Sequence, residues 1–464
     1  MGTRLERDSM GEMQVPDSAY YGAQTQRAVE NFPVSGKTIP IGMIRALGMI
    51  KKAAAKVNAA LGLLDGERSA AIIQAAQEVI DGKHDDQFPI DVYQTGSGTS
   101  SNMNANEVIG NRASELMGGV IGSREPVHPN DHVNMGQSSN DVIPTSIHVA
   151  AAVALSRDLL PALDALLASL AQKSKDFDHV MKLGRTHLQD ATPMRLGQEF
   201  SGYAQMVANG SARIRQATGA VLRLAQGGTA VGTGINTHVE FGARMAAALS
   251  AETDLSFIEA PNHFEAQGSA DSAVEVSGAL KTVAVSLSKI ANDIRWLGSG
   301  PRAGLGELKL PAVQPGSSIM PGKVNPVICE SLIMASAQVI GNDAAVTVGG
   351  LGGVFELNLM LPMIAHNLLD SITVLTGAAN MFREKLLDKL EADEQTCADY
   401  IEGSLAMSTS LAPVIGYDQA AAISKEAYAT GKTVRQVALE KEILPEAELT
   451  KLLDPESMTR PKEA

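Results

Sequence analysis

The sequence predicts a mainly α fold built around a central bundle of long helices, and three observations predict it. Between residues 138 and 393 the chain is rich in Ala, Leu and Val, in stretches long enough for several turns of helix each. Within that region Ala273, Val276, Leu280, Val283, Leu287, Ile290, Ile294 and Leu297 recur at alternating steps of three and four with no proline between them, which is the pattern of a coiled-coil seam. Residues 394–464 then carry a shorter helical array, IGYDQAAAISKEAYATGKTVRQVALEKEILPEAEL, ending in a polar tail.

Taken in order, residues 1–137 read as a loop-rich α domain, with helical patterns at Ile44–Leu61 and Ser69–Ile80 between stretches of Gly, Pro and Asn. In the central domain, 138–393, Asp141 precedes VIPTSIHVAAAVAL with Pro144 in the first turn, so it reads as an N-cap. A second helix is expected from about Met194 to Leu224 and another from Phe355 to Leu390. The seam helix, Ala270 to Leu297, spans about 40 Å at ~1.5 Å per residue. One subunit rarely needs that length for its own core, so a bundle shared between chains is expected, with a long helix buried inside a monomer as the alternative. Asn325 followed by Pro326 reads as another helix start. The third, small C-terminal helical domain is 394–464.

Composition narrows the function. At 464 residues with 44% hydrophobic content, the chain can bury a large core. A formal charge of -14 argues against nucleic acid and anionic membranes as partners, because both are bound by clustered Lys and Arg. An anionic substrate must therefore be held by local donors. No apolar run of about twenty residues is evident for crossing a bilayer, and the opening MGTRLERDSMGEM is too charged for a secretory signal. With only Cys329 and Cys397 there is no disulfide framework, and a reducing, cytoplasmic setting is expected.

Several motifs fail on inspection. Gly431, Lys432 and Thr433 end like a phosphate-binding loop, but Glu426 stands where the first glycine belongs. GGTAVGTG (227–234) and GGLGG (349–353) lack dinucleotide spacing and read as turns or points of close backbone approach. HPNDH, His128 to His132, offers H-x-x-D-H as metal ligands, yet Pro129, Asn130 and Asp131 are turn formers, and a polar surface turn is preferred, with a small-anion contact as its variant. No metal and no cofactor are expected.

Four polar stretches remain: QTGSGTSSNMN (94–104), GQSSND (136–141), GRTHLQDATP (184–193) and PGSSIMPGKVNP (315–326). Each mixes hydroxyls and amides with glycine and is expected beside a helix start, where unpaired N–H groups suit a carboxylate. Two anionic groups could be held at once. His187 is the obvious group for proton transfer at neutral pH.

GSSIMPGKVNP together with SSND, GRTHLQD and SGTSSNMN, in this order, resembles the fumarase/aspartase superfamily, and the likeness runs from VPDSAYYGAQTQRAVENFP to IGYDQAAAISKEA. Gly322, Ser139 and His187 resemble the class II, iron-independent fumarate hydratases, where aspartate ammonia-lyases tend to have Ala, Thr and Gln. The resemblance implies a three-domain fold whose long-helix bundle is shared in a homotetramer, and reversible, stereospecific addition of water to fumarate through an aci-carboxylate carbanion. It implies Ser317 as base, with Ser318 left open, His187 handling the oxygen and Glu330 orienting His187. Carboxylate contacts carry over to Ser97, Gly98, Thr99, Asn102, Ser138, Ser139, Asn140, Thr186, Ser318, Lys323 and Asn325. A second anion site carries over to His128, Asn130 and Asp131. Two departures stand out: Gln314 where many hydratases have an acid, and Glu125–Pro126 after Arg124, where a basic residue is usual. Sister lyases of four-carbon diacids, and an inactive structural homologue, are the alternatives.

Overall fold

The computed structural model describes residues 2–461, so the last three residues of the expected C-terminal domain lie outside it. Two antiparallel strands, β1 (Thr3–Asp8) and β2 (Gly11–Pro16), open the chain and pair in register from Thr3 with Pro16 to Asp8 with Gly11. Helices follow: α1 (Ala23–Asn31), α2 (Ile41–Ala60), α3 (Gly66–Ile80), α4 (Thr99–Leu116), α5 (Ser139–Ala154) and α6 (Leu160–Asp176). A second hairpin, β3 (Met181–Thr186) and β4 (Gln189–Arg195), leads into α7 (Leu196–Thr218), α8 (Phe241–Thr253) and α9 (His263–Gly268). The long helices α10 (Asp271–Leu297), α11 (Val327–Gly350) and α12 (Leu361–Lys385) come next, and α13 (Glu394–Gly403), α14 (Ala412–Ile415), α15 (Tyr417–Thr430), α16 (Val434–Glu440) and α17 (Glu446–Leu452) close the chain. The mainly α expectation holds.

The residues divide into two compact units. One comprises the chain up to Pro161, Ser211–Ala284 and Ala335–Thr376; the other comprises Ala162–Gly210, Val285–Met334 and the chain from Gly377.

In the first unit, α2 starts without a side-chain cap, whereas Asp65 caps α3 by accepting from Arg68 N. Helix α1 is capped from a distance. The buried Glu107 on α4 accepts from the N–H groups of Gly22, Gln24 and Thr25 and from Thr25 Oγ1 at 2.6 Å, while burial pushes its carboxyl pKa up. α3 and α4 are tied by Arg112, whose Nε donates to Glu78 at 2.6 Å.

In the second unit, Ile401, Met407, Leu411, Ile423, Val437 and Leu449 belong to one buried cluster of the C-terminal helices. Gly431, at φ 70°, ends α15, and Thr433 starts α16 with a capping box to Gln436, so the discarded Gly-Lys-Thr run is a turn between helices.

All eight seam positions on α10 are buried, none more than 5% exposed. These eight positions are thus packed within the single chain. What stays uncovered is apolar surface elsewhere: Val285 and Trp296 on α10, and Met334, Ile340 and Val348 on α11, are 42–66% exposed. By length and composition α11 is also apolar enough to cross a bilayer, which corrects the expectation that no such stretch exists. Its Asp343 is nevertheless buried, accepting from Ser277 Oγ at 2.8 Å and pairing with Lys281 at 2.5 Å.

Other boundaries move for local reasons. Ser138, not Asp141, is the N-cap of α5, and Asp141 completes the capping box. Helix α12 begins at Leu361, not Phe355, because Phe355 stands at φ 51°, outside the helical region, between the short strands Gly353–Val354 and Leu357–Asn358.

Candidate active site

Residues 315–326 fold into a closed loop ahead of α11. Gly316 N donates to Lys323 O at 3.0 Å, and Asn325 Nδ2 donates back to Gly316 O at 2.6 Å. Lys323 Nζ donates to Asn325 Oδ1 at 2.8 Å, and Gly322, at φ 82°, takes the left-handed turn. Inside this ring Ser317 Oγ accepts two backbone N–H groups, from Met320 at 2.9 Å and Ile319 at 3.3 Å. Ser318 is exposed and has no hydrogen bond among those described. Two N–H donors on one hydroxyl oxygen stabilise negative charge there, so Ser317 is the better-prepared alkoxide of the two. Helix α11 starts one residue beyond Pro326, close to the expected start.

GRTHLQDATP does not stand at a helix start as expected. It forms the β3–β4 hairpin, with Thr186 paired to Gln189 and His187–Leu188 as the two-residue turn. Both turn residues have positive φ, 55° and 60°, the geometry of a type I′ turn that normally calls for Asn-Gly. Two non-glycine residues held there cost about 1–3 kcal/mol each, and such strain concentrates at functional positions. The hairpin is anchored by the buried Glu307, which accepts from Arg185 at 2.7 Å, with Lys182 Nζ at 3.9 Å. His187 and Thr186 are presented at the exposed tip. Among the described residues neither the His187 side chain nor that of Glu330, an exposed residue in the first turn of α11, has a hydrogen-bond or ion-pair partner.

In the first unit two helix N-termini meet. α4 begins after Gly98, at φ 72°, where a Cβ would come within 2.9 Å of Ile143 on α5. Ser97 Oγ and Thr99 Oγ1 are hydrogen bonded at 2.8 Å, and Gln94 accepts from both N and Oγ of Ser101. At the start of α5, Ser138 Oγ accepts from Asn140 N, and Asn140 Nδ2 donates to Ala230 O at 2.7 Å. Asn102 joins the two termini by donating to Ser139 Oγ at 3.0 Å. The structure therefore gathers Ser97, Gly98, Thr99, Asn102, Ser138, Ser139 and Asn140 in one unit, and Ser317, Lys323 and Asn325 in the loop of the other.

The sequence reading missed two buried charges behind α5. Asp141 is fully enclosed, and its Oδ2 accepts from Gly227 N at 3.1 Å and Thr229 N at 3.0 Å; burial raises its pKa to about 6. This is the role of the first glycine-rich run, expected as a turn. Lys51, 0% exposed on α2, donates to Asn134 Oδ1 and Gln137 Oε1, and burial lowers its pKa to about 7. A signal existed: Lys51 falls on the apolar face that carries Ile44, Leu47 and Ala55.

HPND forms a five-residue helical turn, Pro129–Val133, where only a non-helical turn was expected. His128 Nδ1 accepts from the N–H groups of Asn130 and Asp131, and His132 Nδ1 accepts from His128 N at 2.8 Å. Those nitrogens are engaged with backbone. The adjoining cavity is about 10 Å³, room for one water, and is lined by Arg124, His128 and Asn130 but also by Glu6 and Glu107.

A family profile described as Lyase matches residues 11–341, and one described as Fumarase C C-terminus matches residues 407–460. A fumarate hydratase class II from Halobacterium salinarum is 58% identical over 456 residues, 98% of this chain and 97% of that protein. One of the same name from Neisseria meningitidis is 51% identical over 462 residues, 100% of each chain. The crystal structure of recombinant class II fumarase from Schistosoma mansoni matches with a TM-score of 0.97 and 40% identity, covering 99% of this chain and 100% of that one.

Proposed function

Because this chain belongs to the class II fumarate hydratase family, and is thereby a lyase that adds water to fumarate, we propose that it does so with Ser317 as base and His187 as the group serving the oxygen. In the dehydrating direction the Ser317 alkoxide takes a proton from C3 of malate. The electron pair left behind spreads into the adjacent carboxylate as an aci-carboxylate. Lys323 and Asn325 hold that carboxylate while its charge grows. The C2 hydroxyl then departs as water with a proton from His187, leaving fumarate; hydration is the reverse. The other substrate carboxylate is received by Ser97, Gly98, Thr99, Asn102, Ser138, Ser139 and Asn140, with Thr186 and Ser318 completing the contacts. Glu330 orients the imidazole.

The observation that carries this reading is the pair of backbone N–H groups on Ser317 Oγ, since a serine is a weak base until its alkoxide is stabilised. Replacing Ser317 by Ala or His187 by Asn lowers malate turnover at least about a hundredfold, followed by the absorbance of the double bond, with aspartate as control substrate. Near-normal turnover in either variant reassigns that residue.

We extend the proposal to assembly. The exposed apolar residues of α10 and α11, and the absence of a partner for the His187 and Glu330 side chains among the described residues of one chain, support a homotetramer in which several subunits complete each site. The apolar face of α11 is assigned to another copy and not to a bilayer, because the same helix carries the buried Asp343, ion-paired with Lys281 of α10. His128, Asn130 and Asp131 are proposed as a second anion site; the one-water cavity that His128 and Asn130 line together with Arg124 must open for it to bind. Cytoplasmic residence is proposed on the two free, buried cysteines.

A further inference from the structure

A line of hydrogen bonds runs from the buried Lys51 to the hydroxyl of Ser139. Lys51 Nζ donates to Asn134 Oδ1 at 2.9 Å and to Gln137 Oε1 at 3.0 Å. Asn134 is held from its other end, Nδ2 donating to Gln137 O at 3.2 Å, and Gln137 Nε2 donates to Val133 O and Met135 O. Asn134 Oδ1 also accepts from Asn102 Nδ2 at 3.2 Å, and the same amide donates to Ser139 Oγ at 3.0 Å.

Each orientation follows from the one before. A lysine amine turned toward two amides offers them donors, so Asn134 and Gln137 face it with oxygen. An oxygen at Asn134 obliges Asn102 to present its NH₂ group there. That NH₂ group donates to Ser139 Oγ, so the serine hydrogen is directed to some other acceptor. Ser139 is the first residue of α5, partly exposed at a helix N-terminus, where a carboxylate is the acceptor favoured.

We infer that Lys51 is a positioning residue for substrate binding: through Asn134 and Asn102 it fixes the Ser139 hydroxyl as a donor to the substrate carboxylate. This rests on the reading that the start of α5 receives a carboxylate. Lys51 itself touches no substrate.

The test is a double-mutant cycle on the assembled enzyme, reading kcat and KM for malate and the inhibition constant of succinate, a saturated four-carbon dicarboxylate. Lys51→Met and Ser139→Ala are each expected to raise KM and weaken succinate about tenfold, with kcat changed less than about threefold. The double variant is expected to match Ser139→Ala within about threefold, since Lys51 acts through that hydroxyl. Asn134→Ala breaks the same line while leaving Lys51 its Gln137 partner, and serves if Lys51→Met does not fold; paired with Ser139→Ala it must show the same non-additivity. Multiplying effects overturn the relay, as does a kcat loss at constant KM. If Ser139→Ala alone leaves both constants unchanged, the carboxylate reading of α5 fails instead, and the relay with it.

Discussion

A methyl group on Gly316 would stand 2.3 Å from Lys323 O and 2.7 Å from Asn325 N, inside the contact distance of any carbon. The ring that presents Ser317 closes only because nothing is there. Replacing Gly316 by Ala therefore opens the ring and separates Ser317 Oγ from its two N–H donors. We expect kcat to fall at least about tenfold while the thermal midpoint stays within a few degrees, because the loop is exposed and buries little. A loss of stability as large as the loss of turnover would show that the loop is part of the folded core. Among single residues, those proposed to carry the chemistry stood out in the sequence by type and company: hydroxyls, an amide and a cation beside glycine. The burial of Lys51 was signalled by its place on an apolar face, but its partners were not, because Asn134 and Gln137 lie 83 and 86 residues away and only the folded chain brings them to it.

At the scale of elements, the link between α3 and α4 makes a pH prediction. Arg112, helped by His84, holds the Glu78 carboxyl at a pKa of about 2, below its ordinary 4.5. Stability from this group is present above pH 4.5 and is lost as pH falls toward 2. Replacing Glu78 by Gln is expected to lower stability at neutral pH by ~2 kcal/mol, after allowing for partial exposure, and to flatten the acid limb between those values in denaturant titrations. An unchanged acid limb would contradict it. The helices themselves were well marked, since period and burial agree: the seam helix was expected from Ala270 and begins at Asp271. The hairpins were not. β1 and β2 are mostly charged and polar, with Thr3 and Val15 as their only β-branched residues, and His187–Leu188 replaces the Asn-Gly that would announce a tight turn. Position in the fold imposes those conformations.

For the whole molecule, shared sites make a sharp prediction. If Ser317 and His187 of one site come from different chains, an inactive Ser317→Ala enzyme and an inactive His187→Asn enzyme, unfolded together and refolded as a mixture, regain activity. Random equal mixing leaves about a quarter of sites with both groups intact. Refolding the variants separately and then combining them restores nothing until subunits exchange. Failure of the co-refolded mixture to recover activity would place both groups on one chain.

The two cysteines are sealed within the fold, each 0% exposed, with burial pushing both thiols up to about 12. A neutral-pH alkylating reagent therefore meets no thiolate while the chain stays closed. Labelling then counts openings, with Cys329 recording those at the start of α11, beside the 315–326 loop, and Cys397 those of the C-terminal helices. The protein carries its own clock for local unfolding, readable at two places by mass.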